Sequence, residues 1–246
     1  MHLGTDPLVL VRDLPLLADR EVAGLVASCL AIGRASLIIP AARTVLGLVG
    51  SPLAERVREA PPGSWDASLD GFRYRFFSGA QVAGLLDGLG EALRRFGSLE
   101  AAYREGVSRE GSVGSPTAEA TRWLALATFA QRLSLPGRDL GILLPVADSK
   151  GAFKRLNLFF RWMVRHDAID PGGWSVLTPA DLFMPVDTHV LQWARREGLT
   201  RRNLADARAC REITAALRGL EPEDPLRWDF AITRQGMDDK NTLAHF

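Results

Sequence analysis

Two kinds of side chain able to do covalent chemistry stand within one stretch, Lys150 to His189: KGAFKRLNLFFRWMVRHDAIDPGGWSVLTPADLFMPVDTH. Lys150 and Lys154 carry primary amines, which attack electrophilic carbon when neutral. Asp187 carries a carboxylate that can face developing positive charge or move a proton. Between Ser149 and His166 lie Lys150, Lys154, Arg155, Arg161 and Arg165, and no acid. With a formal net charge of only +1 for the chain, this is a sharp local bias. Helical spacing over 151–164 puts Lys150 and Lys154 on one face, with Arg161 and Arg165 four apart further along, so the helix could track phosphates by charge. Taken alone, the pattern is more often a solvated helix face beside an apolar stripe, here Phe153, Leu156, Phe160 and Met163. Asp187, in Met-Pro-Val-Asp-Thr-His, reads by position as the cap of a following helix. A capping carboxylate is rigid and ionised, so cap and reactive group are compatible roles. His189 stands two residues on and shares no helix face with Asp187, which disfavours a metal pair.

The elements that would position these groups read as helices. Asp19 is placed as the N-cap of a helix through Val22, Leu25, Val26 and Cys29 that stops near Gly33. Further helices are predicted over 36–49, 53–59, 78–96, from Leu99, and from Pro116 or Thr117 to about Leu133. Others follow over 151–164, from Asp187 or Thr188 to about Glu197, and over 204–217 behind an Asn203 cap. A last one lies within 222–236. Phe72–Phe77 alternates aromatic and basic residues like a strand but has no partner in sequence, so it reads as an extended approach to the next helix. Residues 106–116 read as loop. Residues 166–185, rich in Gly and Pro, form a loop long enough to be functional, with one helical turn at 179–182.

Composition narrows the class. Hydrophobic residues make up 47% of the 246, which fits a globular chain. Cys29 and Cys210 are the only cysteines, too few for a four-thiolate zinc or iron–sulfur site and enough for one disulfide at most. No cofactor is expected. No signal-peptide pattern opens the chain and no apolar run reaches membrane-spanning length, so the expected setting is soluble and cytoplasmic, without a membrane partner. Gly-x-Ser-x-Gly, Walker and His-Glu-x-x-His motifs are absent.

PVDTHVLQWARREGL resembles the Pro-Val-Asp-x-His-Val segment of the helix-hairpin-helix–GPD superfamily of DNA glycosylases, which includes endonuclease III and the 8-oxoguanine glycosylases. LLPVADSKGAFKRLN falls where the superfamily's hairpin should be, and DREVAGLVASCLAIGRA resembles the first long helix of endonuclease III-like enzymes. KRLNLFFRWMVR, PVDTH and DPLRWDF together are similar to a bacterial family without an assigned activity, placed near the archaeal 8-oxoguanine glycosylase branch. The sequence departs from the superfamily at Leu144-Pro145-Val146-Ala147-Asp148, which lacks the glycines of Leu-Pro-Gly-x-Gly, so a phosphate clamp here must differ. Aligning on Leu-Pro selects Lys150 as nucleophile; aligning on Lys-Arg-Leu-Asn selects Lys154, the favoured choice. Lys154 and Asp187 stand 33 positions apart, a gap like that of the archaeal branch.

The resemblance implies an all-α, helix-hairpin-helix glycosylase-like fold. It has two helical subdomains, approximately 36–150 and 1–35 plus 151–246, with a cleft between them. It implies a base-excision glycosylase with AP lyase activity that flips a damaged base, 8-oxoguanine favoured, out of double-stranded DNA. Lys154 would attack and Asp187 would assist, while Lys150, Arg155 and Arg161 would favour the neutral amine. Lys150, Arg155, Arg161, Arg165, Arg73, Arg75 and His189 are the expected DNA contacts, and Trp162, Trp228 and Asp229 the expected base pocket. No iron–sulfur cluster is implied, and the expected protein is a monomer associated with the bacterial nucleoid. The rival reading is a non-catalytic helical DNA-binding or protein-interaction module of the same fold, with Asp187 only a cap.

Overall fold

The structure, a computed structural model, describes residues 6–110, 117–144, 149–229 and 231–233, without the side chains of 107–110 and 117–118. The candidate hairpin residues Pro145–Asp148 and the polar tail lie outside the described residues. Among the described residues the chain is mostly helical, with α1 (Leu17–Cys29), α2 (Ala35–Val49), α3 (Leu53–Glu59), α4 (Gly79–Phe96), α5 (Leu99–Glu110), α6 (Thr117–Arg132), α7 (Lys154–Val164), α8 (Thr188–Arg196) and α9 (Ala207–Leu220). The expected all-α character holds at this level. None of these helices is by itself long and apolar enough to cross a membrane.

α1 is the hub. It packs against α2, α3 and α7, and its residues from Glu21 to Cys29 are all buried. Its acids have a use that local reading misses. α1 begins at Leu17, before Asp19, so Asp19 is not its cap. Asp19 Oδ1 instead accepts Ala54 N–H at 2.8 Å and so caps α3. Glu21, wholly buried, accepts Leu99 and Glu100 N–H at 3.0 Å each and Trp174 Nε1–H at 2.8 Å. Burial pushes its carboxyl up, against the pull of those donors. One helix thus supplies the N-terminal acceptors of two others, because the four orphan N–H groups of a helix accept any correctly placed oxygen.

α4 is capped within its own sequence. Ser78 and Gln81 form a reciprocal capping box at its start. Its glycines let neighbouring backbone approach: a Cβ on Gly88 would lie 1.9 Å from the Leu133 carbonyl oxygen, and one on Gly79 1.8 Å from that of Leu69. The Phe72–Phe77 segment is a small hairpin rather than an extended approach, with Arg73–Tyr74 (β1) antiparallel to Phe77–Ser78 (β2). The partner strand follows directly across Arg75, in left-handed conformation at φ 52°. The partner lies within the same short stretch, so the sequence offers no separate second strand to pair with it. α5 continues to Glu110, so the expected loop starts later.

α7 carries the basic stretch, and starts at Lys154 rather than Gly151. Gly151 is bridged to Asp206, and Phe153 is left-handed at φ 51°, which separates Lys150 from the helix. α9 starts behind Asp206, whose side chain accepts Ala209 N–H at 2.8 Å, and not behind Asn203. Residues 179–181 form the expected single turn, as a 3-10 helix. In the 222–236 region helical residues appear from Asp229.

Candidate functional site

Lys154 and Asp187 meet. Lys154 Nζ lies 3.0 Å from Asp187 Oδ2, with the lysine side chain 37% exposed and the aspartate 18%. Each group stands at the N-terminal end of a helix: Lys154 is the first residue of α7 and Asp187 is the N-cap of α8. The carboxylate divides its work. Oδ1 accepts His189 and Val190 N–H at 2.8 and 2.9 Å, and Oδ2 faces the amine. Burial pushes the Asp187 carboxyl up, but the Lys154 charge, the Val190 N–H and His189 outweigh it, so the group titrates below the usual carboxylate range.

Two buried links fix the segments that deliver this pair. The first is polar. Asn157 Nδ2 donates to Ala152 O at 2.9 Å, just before Lys154, and contacts Cys210 Sγ at 3.7 Å. Cys210 Sγ–H in turn donates to Met184 O at 3.2 Å, just before Asp187. Thr214 on the same helix receives Met184 N–H at 3.0 Å. The second link is aromatic. The Trp123 ring stacks on Phe153 at 4.8 Å and 8°, and meets Phe183 edge-on at 5.1 Å. Phe153 precedes the lysine and Phe183 precedes the aspartate by four positions, so one indole pins both approaches. Trp123 and Cys210 carry no local signal.

The cysteines are free and buried, and burial pushes each thiol up to about 12. They act as small packing groups, with Cys210 also a hydrogen-bonding one.

Several expected site residues turn inward. Arg161 is 4% exposed; its Nε lies 3.1 Å from Asp170 Oδ2 and its Nη1 2.5 Å from Asp229 Oδ2. Burial opposes its charge, but Asp229 and Asp170 more than offset that and hold the guanidinium charged. Arg165, 6% exposed, reaches Asp170 at 2.6 Å, Asp224 at 2.9 Å and Asp167 at 2.9 Å. Arg155 donates to the carbonyls of Cys29, at 3.0 Å, and of Ile142, with its guanidinium over the Phe77 ring at 5.4 Å. These three arginines tie the 166–175 loop, the 224–229 segment and the hairpin to α7. Most of their nitrogens are engaged by protein acceptors, in place of the expected phosphate contacts. Trp162 is 1% exposed in the core, and Asp229 is 3% exposed with one oxygen on Arg161, so neither can line a base pocket. Trp228 is 51% exposed, with the Arg227 guanidinium 5.1 Å from its ring.

The remaining candidates face outward. Lys150, Arg73 and Arg75 are exposed and His189 is partly so. The hairpin bearing Arg73 and Arg75 abuts the start of α7, since Phe77 lies under Arg155.

The chain belongs to a protein family described as "Protein of unknown function (DUF2400)", which matches residues 6–238. Comparison with curated proteins and with solved structures gave no match.

Proposed function

We propose that the protein is a base-excision DNA glycosylase with AP lyase activity, acting through Lys154 and Asp187. The observation that carries this reading is the Lys154–Asp187 contact: an amine and a carboxylate far apart in sequence, 3.0 Å apart at the ends of two helices, with the amine partly open to solvent. The 33-residue spacing and the Pro-Val-Asp-x-His segment add to it.

In this reading a damaged nucleotide is flipped out of the duplex. Lys154, partly open to solvent along its side chain, reacts once its ammonium has passed a proton to water. Nζ bonds to the deoxyribose C1′ as the bond from C1′ to the base breaks, and the departing base takes up a proton. Asp187, ionised and held by two backbone N–H groups, faces the positive charge that develops at C1′. The sugar ring opens to a protonated imine. Loss of a C2′ proton then expels the 3′ phosphate, and water finally releases the lysine. The favoured base is 8-oxoguanine. The partner is double-stranded DNA, and the site is assigned no metal or iron–sulfur group.

The test is strand scission of a labelled duplex with one 8-oxoguanine, read before and after alkali. Cleavage before alkali is expected, from base release followed by elimination. Cleavage only after alkali would leave a glycosylase without lyase activity. Salt-dependent binding with no scission under either condition would favour the non-catalytic DNA-binding module of the same fold.

A further inference from the structure

We propose that the elbow between α8 and α9 holds the phosphodiester backbone of the DNA strand, through Arg201, Arg208 and Asn203 together with Lys150. This rests on the DNA reading above and names where the strand lies. The cations expected for that task on α7, Arg155, Arg161 and Arg165, are spent inside the protein, so any phosphate track must be built elsewhere.

The elbow meets the requirement by placement and by charge. Residues 197–206 turn back from α8 so that Asp206 pairs with Gly151, and Ala207 N–H donates to Lys150 O at 2.9 Å. This sets the start of α9 against the segment that leads into Lys154, four positions on from Lys150. Arg202 holds the elbow in shape, with its guanidinium 2.6 Å from Asp206 Oδ2. Arg201, Arg208 and Lys150 are exposed, and among the described residues none has an acidic partner within ion-pair distance. Arg201, Arg202, Asn203, Leu204 and Glu212 line an open groove of about 590 Å³. Glu212 is engaged by the Thr200 hydroxyl at 2.7 Å. Leu204 is 71% exposed at the edge of this groove. Arg201, Asn203 and the apolar Leu204 of the groove, with Lys150 and Arg208 exposed on the two segments joined by the Ala207–Lys150 hydrogen bond, suit a strand whose phosphates take the charge while its sugars cover the leucine. The backbone link from the start of α9 to Lys150, four positions before Lys154, points to the strand that carries the reacting sugar as the occupant.

The experiment is duplex binding by fluorescence anisotropy across a salt series, with an abasic-site analogue in the duplex. The wild type is compared with Lys150→Ala/Arg201→Ala/Arg208→Ala, and with a control of equal charge change on α2 and α3, Arg43→Ala/Arg56→Ala/Arg58→Ala. The elbow triple is expected to lower the slope of log affinity against log salt by roughly 2–3 and to lose at least about tenfold in affinity at ~100 mM salt. The control is expected to stay within about twofold of wild type. An unchanged slope in the elbow triple, or equal losses in both triples, overturns the proposal. Covalent trapping of the wild type runs alongside. An elbow-dependent slope without trapping upholds the elbow and fails the Schiff-base chemistry assigned to Lys154; trapping with an elbow-independent slope does the reverse. No salt-dependent binding by the wild type overturns both.

Discussion

Asp187→Asn is expected to lower base release by about 10²–10³-fold while costing the fold only about 1 kcal/mol. The asymmetry follows from the two oxygens. Asparagine keeps an acceptor for the His189 and Val190 N–H groups, and it is among the best N-cap residues, so α8 keeps its start. What disappears is the negative charge at Oδ2, 3.0 Å from Lys154 Nζ. The lysine then stands at the positive end of α7 with no counter-charge, and nothing faces the positive charge at C1′. Because Lys154 is more than a third exposed, water screens the ion pair and its loss costs little stability. Single-turnover kinetics and a thermal melt separate the two effects. A large fall in melting temperature with activity retained would make Asp187 a cap and nothing more.

Arg161→Ala is expected to do the opposite. Removing the guanidinium leaves Asp229 without its ion-pair partner, and Asp170 with only Arg165, at depths where they are 3% and 0% exposed. Breaking a buried pair from one side costs about 3–5 kcal/mol, since the partner charge stays buried and uncompensated. For a chain of this size that is a fall of roughly 6–20 °C in melting temperature. A double variant, Arg161→Met with Asp229→Leu, removes charge from both sides and is expected to recover much of the loss. The salt slope of DNA binding should be unchanged in Arg161→Ala, because this arginine faces no solvent. A soluble, fully stable Arg161→Ala with a reduced slope would return the residue to the DNA surface and contradict the inward geometry.

Whether a feature could be read from the sequence depended on how far its partners lie along the chain. The start of α4 at Ser78 and the Asp187 cap have their hydrogen-bond partners within three residues, and local pattern places each within a residue of where it stands. Asp19 and Glu21 fail that test because the N–H groups they accept belong to Ala54, Leu99 and Glu100. The basic run on α7 misleads for the same reason. The window from Ser149 to His166 holds no acid, yet Asp170, Asp224 and Asp229 neutralise Arg161 and Arg165 from beyond it. A local charge count cannot see a distant counter-ion. The start of α7 was misplaced because the Gly151–Asp206 bridge is long-range and the left-handed Phe153 interrupts an otherwise helical pattern. The Lys154–Asp187 pairing is also long-range, and it came from resemblance rather than from periodicity. Trp123, which pins both approaches to that pair, could be found only once the chain was folded.

The most direct test of the central claim is borohydride trapping with an abasic-site duplex, alongside an 8-oxoguanine duplex. Under the glycosylase–lyase reading the wild type forms a covalent adduct, Lys154→Ala forms none, and Lys150→Ala still does, because Lys150 stands apart from α7 and Lys154 alone pairs with Asp187. An adduct on the abasic duplex alone would retain the lyase and discard 8-oxoguanine. An adduct that persists in Lys154→Ala and vanishes in Lys150→Ala would contradict the assignment of the amine. No adduct with either duplex, from wild-type protein that binds both, would contradict Schiff-base chemistry at this pair.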